Sequence, residues 1–526
     1  MTIDIYGSVK RAVGQMVRTD ERQVVNNAGG YVYSADDASR LARFLTLGAP
    51  QGTYYVGAAE HLADNVAFLV DLADRDPVGY VQQVVRTSQQ GLAPKQQPGL
   101  FALAVAASAG NEQARTLALE VLPQVARTGS TLLTFVRYAK NLRGTGRGLR
   151  RALGRWYVAQ GRDVDWTALQ VVKYRAREGW THADVLRLAH PTTADPALNA
   201  LFRWVLRGEM SEAVPRLVTE FEALQTADTA AEVVRIVAAD QAITWEMLPD
   251  RWLGTVAVWE ALLANGVPLG ALVRQLPRLT RIGLLHQHSQ WVEHVTGRLT
   301  DPAALKAARL HPLSVLSAAR TYAQGQGRGG RDWRPVRAVT QALDAGFYAA
   351  FGTVRPIGKP VLLALDVSGS MGWTRNPSGL TPREVSAALA LVTANTEDDW
   401  TIMGYSHRLV DVPIDPSMSL SDVVTRISRI PMGGTNTALP WQWATKQRRQ
   451  LGGIVSYTDN ETWCGPQHTA AAVATYRRQV DPQTRSVVVA LESTGFTIND
   501  PADRLGLDVA GYDASVPTVV SDFVRG

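Results

Sequence analysis

A single cysteine, Cys464, occurs in 526 residues, so an intramolecular disulfide cannot form and a thiolate zinc site lacks ligands. That scarcity fits a reducing compartment. No stretch approaches the roughly 20 consecutive apolar residues of a membrane span, and the opening MTIDIYGSVKRAVGQ lacks the apolar core of a secretory signal. The expectation is a cytoplasmic protein with no membrane partner. Acidic residues are missing over one long interval: from Val121 to Arg162, 42 residues, there is no Asp or Glu at all. What is present is ordinary for a folded chain, with 46% hydrophobic and 19% charged residues and a length that allows two to four domains. The net charge of +6 is unevenly spread, because residues 1–350 hold 39 Lys/Arg against 31 Asp/Glu while residues 351–526 hold 15 against 17. Any attraction for an anionic partner therefore belongs to the first part.

From about residue 28 to 350 one amphipathic segment follows another, among them ASRLARFLTLG, AEHLADNVAFLVDLA and AAEVVRIVAADQAI. Apolar residues recur there at the helical period of 3.6, with short Gly, Pro or polar turns between. A globular bundle and a solenoid of helix pairs both fit, and no clean repeat period separates them. A Gly/Arg-rich stretch, QGQGRGGRDWRP, then reads as an exposed connection, and one further helix leads to KPVLLALDVSGSM, an apolar strand ending in an acidic, Ser-rich loop. The remainder alternates helix-like segments (REVSAALALVTANT, LSDVVTRISRI, HTAAAVATYRRQV) with strand-like ones (WTIMGYS, GGIVSYTD, RSVVVALES). This predicts a doubly wound parallel sheet with its ligand site at the carboxyl ends of the strands. The division falls near residue 355, giving a helical domain at 1–355 and an α/β domain at 356–526.

The loop Asp366-Val367-Ser368-Gly369-Ser370 follows directly on a strand, so its oxygens face the crevice where a hard cation could sit. Two later loops at strand ends, Gly433-Gly434-Thr435-Asn436-Thr437 and Ser456-Tyr457-Thr458-Asp459, can add oxygens. The bland alternative is that the short Asp/Ser loop only caps the next helix. The three segments together resemble the metal-ion-dependent adhesion site of von Willebrand A domains. That resemblance implies Asp366, Ser368, Ser370 and Thr435 as ligands, with Asp459 on the ion or one hydrogen bond behind it, and passes over Thr437. An oxygen-only set suits Mg²⁺ first, with Mn²⁺ or Ca²⁺ as alternatives. An aspartyl-phosphate enzyme would want a second carboxylate where Ser368 stands, and an α/β-hydrolase would want Gly at Val367. No catalytic residue is assigned.

The acid-free interval carries Arg127, Arg137, Lys140, Arg143, Arg147, Arg150, Arg151, Arg155 and Arg162. Leu149, Leu153 and Trp156 fall at i, i+4 and i+7, so Arg151 and Arg155 point away from the core and are displayed. Arginine suits bidentate phosphate contact and stacking on bases, which favours RNA over a merely solvated face. Lys173 and Arg177 lie one turn apart just beyond. Thr181 and Asp184 form a capping box opening the helix HADVLRLAH, with His182 expected exposed at its start. His190 sits at its carboxyl end, where a phosphate contact and a locally satisfied neutral ring are level alternatives.

The stretches RLARFLTLGAPQGTYYV, KQQPGLFALA, KYRAREGWTHADVLRLAHP, LHPLSVLSAARTY, DWRPVRAVTQALDAGFY, DVSGSM, IPMGGTNTALPWQWA, SYTDNETW and GFTINDPADRLGLDVAGYD, in this order, resemble the Ro autoantigen, or TROVE-domain, family from about residue 28 onward. The resemblance implies a ring of HEAT-like helical repeats closed beside a von Willebrand factor A domain. It implies a small non-coding Y RNA on a basic outer face and the single-stranded 3′ ends of misfolded or immature RNAs in a central hole. Lys173, Arg177 and His190 match positions linked to Y-RNA binding in the family, which tips His190 toward function; Arg137, Lys140, Arg147, Arg150, Arg151 and Arg155 complete the expected face. Bacterial members imply an exoribonuclease partner, and the protein itself is expected to be monomeric. Gly369 departs mildly, standing where vertebrate relatives have Ala. The competing class is a metal-dependent protein-adhesion scaffold whose charge is incidental, and a nuclease acting at the metal is disfavoured because one or two carboxylates do not build a paired-metal site.

Overall fold

The computed structural model describes residues 14–49, 56–158, 163–327, 330–351, 354–373, 379–412 and 414–526. Arg162 of the basic run and residues 50–55 of the first family-like stretch lie outside the described residues.

A short antiparallel pair, β1 (Gln23–Val25) and β2 (Tyr31–Ser34), opens the described chain. Helices then run without interruption by long strands from Asp37 to Ala349. Their boundaries follow local chemistry: Asp36 caps one by accepting from Ser39 N, and Thr128, Thr181 and Thr229 each open another with a capping box. Helices pack both on their sequence neighbours, such as Pro312–Gln324 against Arg337–Ala349, and across them, such as Gln97–Ser108 against Gly129–Arg143, and bury one continuous apolar core. The only strands inside this run, among the described residues, are β3 (Ala176–Arg177) and β4 (Trp180–Thr181). Glu178 and Gly179 join them with φ of 55° and 78°, the paired left-handed residues of a tight hairpin turn.

The C-terminal domain supplies β5 (Val361–Asp366), β6 (Trp400–Tyr405), β7 (Leu409–Val410), β8 (Gly453–Thr458), β9 (Arg485–Ala490), β10 (Phe496–Thr497) and β11 (Gly506–Ala510). Six of them form a sheet in the order β11-β9-β8-β5-β6-β7, parallel except for β7, so the sheet is mixed at one edge. Alternation along β5 divides the packing. Val361, Leu363 and Leu365 join the core shared with the helical run, while Leu362 and Ala364 face Trp441 and Tyr476.

The helical run closes on itself and on this domain. At one end Arg43, fully buried in the helix Asp37–Leu47, pairs with Asp508 of β11 at 2.8 Å and donates to the carbonyls of Thr494 and Phe496. At the other end Arg320 pairs with Glu384 at 2.6 Å. Between them, buried His311 reaches the Tyr512 carbonyl at 2.6 Å, and Ala514 N donates to Leu92 O. β2 also pairs with β10, so residues 14–34 are built onto the C-terminal domain, a contact that a linear division at 355 does not reveal.

Candidate metal centre and nucleic-acid interface

The three acidic and hydroxyl loops meet at the carboxyl end of the parallel strands. Asp366 ends β5 and is completely buried; its Oδ1 accepts from Ser368 N at 2.9 Å and its Oδ2 from the Thr458 hydroxyl at 2.8 Å. The Ser368 and Ser370 hydroxyls lie 3.1 Å apart. Gly369 N donates to Gly433 O at 3.0 Å, which ties the first loop to the loop bearing Thr435. Buried Arg383 reinforces that tie by donating to the carbonyls of Val367, Ser368 and Ile430. Burial, with the neighbouring Asp459 charge second, pushes the Asp366 carboxyl up to about 7, and burial pushes Asp459 up as well. Two buried carboxyls raised in this way are an arrangement whose charge a bound cation would offset.

Thr435 supplies the sharper observation. Its Oγ1 is buried and has no hydrogen-bond partner among the described residues, although a buried hydroxyl ordinarily finds one. Thr437, by contrast, is spent on a hydrogen bond with the Thr469 hydroxyl. The structure thus gathers the buried side chains of Asp366, Ser368, Ser370, Thr435 and Asp459 on adjoining loops, and this oxygen-only donor set fits a hard divalent cation. Among the described residues no three His, Cys, Asp or Glu side chains gather anywhere as a metal-binding group, so the set depends on its hydroxyls.

The basic residues separate into groups. The helix Arg147–Tyr157 buries Leu149, Leu153 and Trp156 and presents Arg147, Arg151 and Arg155 at i, i+4 and i+8, one guanidinium about every 6 Å along its axis. These three line a groove of about 1020 Å³ with Arg115, Arg143 and His190, opposed among the described residues only by Glu112 and Glu120. His190 is the left-handed cap of its helix, φ 46°, and is exposed. Among the described residues none of Arg143, Arg147, Arg151 and Arg155 forms an ion pair. Arg150 points elsewhere and donates to Thr145 O.

A second group surrounds the β3-β4 hairpin. Arg137 pairs with Glu178 at 2.7 Å, Arg177 lies 4.0 Å from the same carboxylate, and Lys140 stacks over Trp180. The acid-free run is therefore partly neutralised by an acid from beyond it. Lys173 joins neither group: its side chain is 12% exposed, beside Tyr174 and 3.7 Å from Glu246. His182 differs from its expected exposed position at the helix start. It is buried rather than exposed, bonded to the Tyr157 hydroxyl at 2.7 Å, because its ring points down among the aromatic core residues Trp156 and Tyr157.

Sequence reasoning missed a further basic site. Where the two ends of the helical run approach each other, a cavity of about 670 Å³ is lined by Lys95, Arg127, Arg274 and Arg309 and, among the described residues, by no carboxylate. Only Arg127 lies in the acid-free interval; the others come from distant helices, and nothing local in the sequence gathers them.

A closed helical-repeat body joined to an α/β domain with a cluster of hydroxyl and carboxylate loops at its strand ends defines the class: a helical-repeat protein carrying a von Willebrand factor A-type domain. The TROVE domain model matches residues 24–232 and 235–326, and the Ro60 vWA domain model matches residues 360–524. The chain belongs to this Ro60 family of TROVE proteins. It is similar to the RNA-binding protein RO60 of Deinococcus radiodurans, at 40% identity over 521 residues, 97% of either chain. It is also similar to the RNA-binding protein RO60 of Caenorhabditis elegans, at 30% identity over 99% of this chain and 93% of that one. The crystal structure of the Deinococcus radiodurans RO (RSR) protein matches with a TM-score of 0.70 at 39% identity, covering 93% of this chain and 100% of that one.

Proposed function

We propose that the chain is a non-catalytic RNA-binding protein of RNA quality control, holding a small structured RNA of the Y class in the groove along the helix Arg147–Tyr157. The observation that carries this is the stripe of Arg147, Arg151 and Arg155 beside His190, displayed in one groove with none of the three in an ion pair among the described residues. Unpaired guanidiniums at regular spacing repel one another and gain most from a polyanion. The Deinococcus and worm relatives, named as RNA-binding proteins, support the same ligand class. The acid-free cavity of Lys95, Arg127, Arg274 and Arg309 suits the single-stranded 3′ end of a misfolded or immature RNA, which an exoribonuclease partner then trims. Among the described residues no helix is long and apolar enough to cross a membrane. The protein acts in the cytoplasm as a monomer.

The cation pocket is a separate recognition feature. Asp366, Ser368, Ser370 and Thr435 would hold Mg²⁺, Mn²⁺ or Ca²⁺, with Asp459 close by, and the ion would supply a positive centre for an outside carboxylate. A metal-dependent adhesion role has one observation in its favour: Trp373 and Met432, 69% and 59% exposed, stand beside the first and second loops. Sequencing the RNA that co-purifies with wild type and with Arg151→Ala/Arg155→Ala tests the main reading. Small structured RNAs should be enriched with the first and depleted with the second; equal recovery would sink it.

A further inference from the structure

The segment preceding the first helix carries no motif, yet it lies against the back of two of the three cation-pocket loops. Gln15 is completely buried and donates to Asn436 Oδ1 at 2.9 Å, next to Thr435, while its own carbonyl oxygen Oε1 accepts from the Thr462 hydroxyl. That hydroxyl also reaches Thr435 O at 3.2 Å, so one buried amide braces the Thr435 loop from two sides. Asn26, 3% exposed, donates to Thr462 O at 2.7 Å and to Asn460 O at 3.3 Å. Asn27 and the Ala28 N–H donate to the two oxygens of Glu461, at 2.7 and 3.0 Å, and Glu461 N in turn donates to Asp459 Oδ1 at 3.0 Å. The approach is too close for a side chain at residue 30, where a Cβ would sit 1.9 Å from Thr462 O.

We propose that residues 14–30 form the rear wall of the cation pocket and act as positioning residues for it, so that cation affinity depends on a segment more than 330 residues upstream of Asp366. The inference rests on the reading of that pocket as a cation site. Its physical basis is that ligands on flexible loops bind well only when partners behind them fix their orientation, and loss of such a partner commonly costs 10- to 100-fold in metal affinity. Gln15 and Asn26 are the fixing groups for Thr435 and for the 459–462 turn, and Asn27 fixes the turn through Glu461. Coupling is reciprocal: if the segment tightens the pocket, an ion in the pocket must tighten the segment.

Mn²⁺ binding followed by electron paramagnetic resonance decides the matter with the full-length wild type, Asp366→Ala and Gln15→Ala/Asn27→Ala. The wild type should bind one Mn²⁺, Asp366→Ala none, and the double variant should bind at least about 10-fold more weakly, with RNA affinity unchanged and the far-UV circular dichroism spectrum that of the folded wild type, although its unfolding midpoint falls. Hydrogen exchange of the wild type supplies a readout that needs no foldable variant: Mg²⁺ should slow exchange of the amides in 14–34, and should not do so in Asp366→Ala. Wild-type Mn²⁺ affinity in the double variant, or exchange in 14–34 indifferent to Mg²⁺ while the wild type binds Mn²⁺, would overturn the coupling and leave the cation site standing. A wild type that binds no Mn²⁺ overturns both.

Discussion

His182 and His311 are buried, and for both the burial of the ring holds the pKa down, to about 4. The His311 tautomer is set by its neighbours: Nε2 donates to Tyr512 O and Nδ1 accepts from Leu313 N. Protonating it would put a hydrogen against that N–H. Since the unfolded ring titrates near 6.5, the unfolded chain gains protons first as pH falls. The stability tied to two neutral rings is complete above pH 6.5 and is lost as pH drops toward about 4, roughly 1 to 2 kcal/mol for each ring by pH 5. Urea midpoints at pH 7.5 and pH 5 should therefore fall, and His311→Gln should shrink the difference. A midpoint independent of pH over that range would show that these rings do not act so. At this scale the sequence is legible where chemistry is local. Asp366, Ser368 and Ser370 lie on one loop and read directly, whereas the burial of His182 depends on Tyr157, 25 residues away.

Elements were legible in proportion to their length and periodicity. The helix Arg147–Tyr157 shows its buried and displayed faces in the sequence, and the Thr181–Asp184 capping box stands where the motif puts it. β2 has four residues and pairs with β10, 462 residues further on, so neither pattern nor spacing could announce it. His190 joins element to function, because it is both a helix cap and a wall of the basic groove. Its left-handed backbone is strained for a residue with a side chain, and glycine would relieve that strain by about 0.5 to 1 kcal/mol. His190→Gly should thus unfold at the same or a slightly higher midpoint while binding structured RNA more weakly. If stability drops and RNA affinity holds, the ring serves the fold and not the ligand.

The molecule as a whole is held closed by a few buried polar links between remote segments. Arg43 is the most exacting: burial pushes its partner Asp508 up despite the guanidinium, so neither charge has a solvated alternative. Arg43→Met should cost about 3 to 5 kcal/mol, read as a lower denaturant midpoint, because it strands a buried carboxylate and two carbonyls. A loss below about 1 kcal/mol would mean the closure is held elsewhere. This level was the least legible in sequence, since Arg43 looks like any surface arginine of an amphipathic helix until β11 is brought beside it.

The central claim is that RNA binds through the arginine stripe and independently of the cation pocket, which lies in the other domain. The most direct test is the affinity for a structured small RNA as a function of salt, measured for wild type with and without chelator, for Arg151→Ala/Arg155→Ala and for Asp366→Ala. The account predicts a steep slope for wild type, a slope reduced by about two in magnitude for the double variant, and no change with chelator or Asp366→Ala. An undiminished slope in the double variant, or a large loss of affinity on removing the cation, would contradict it.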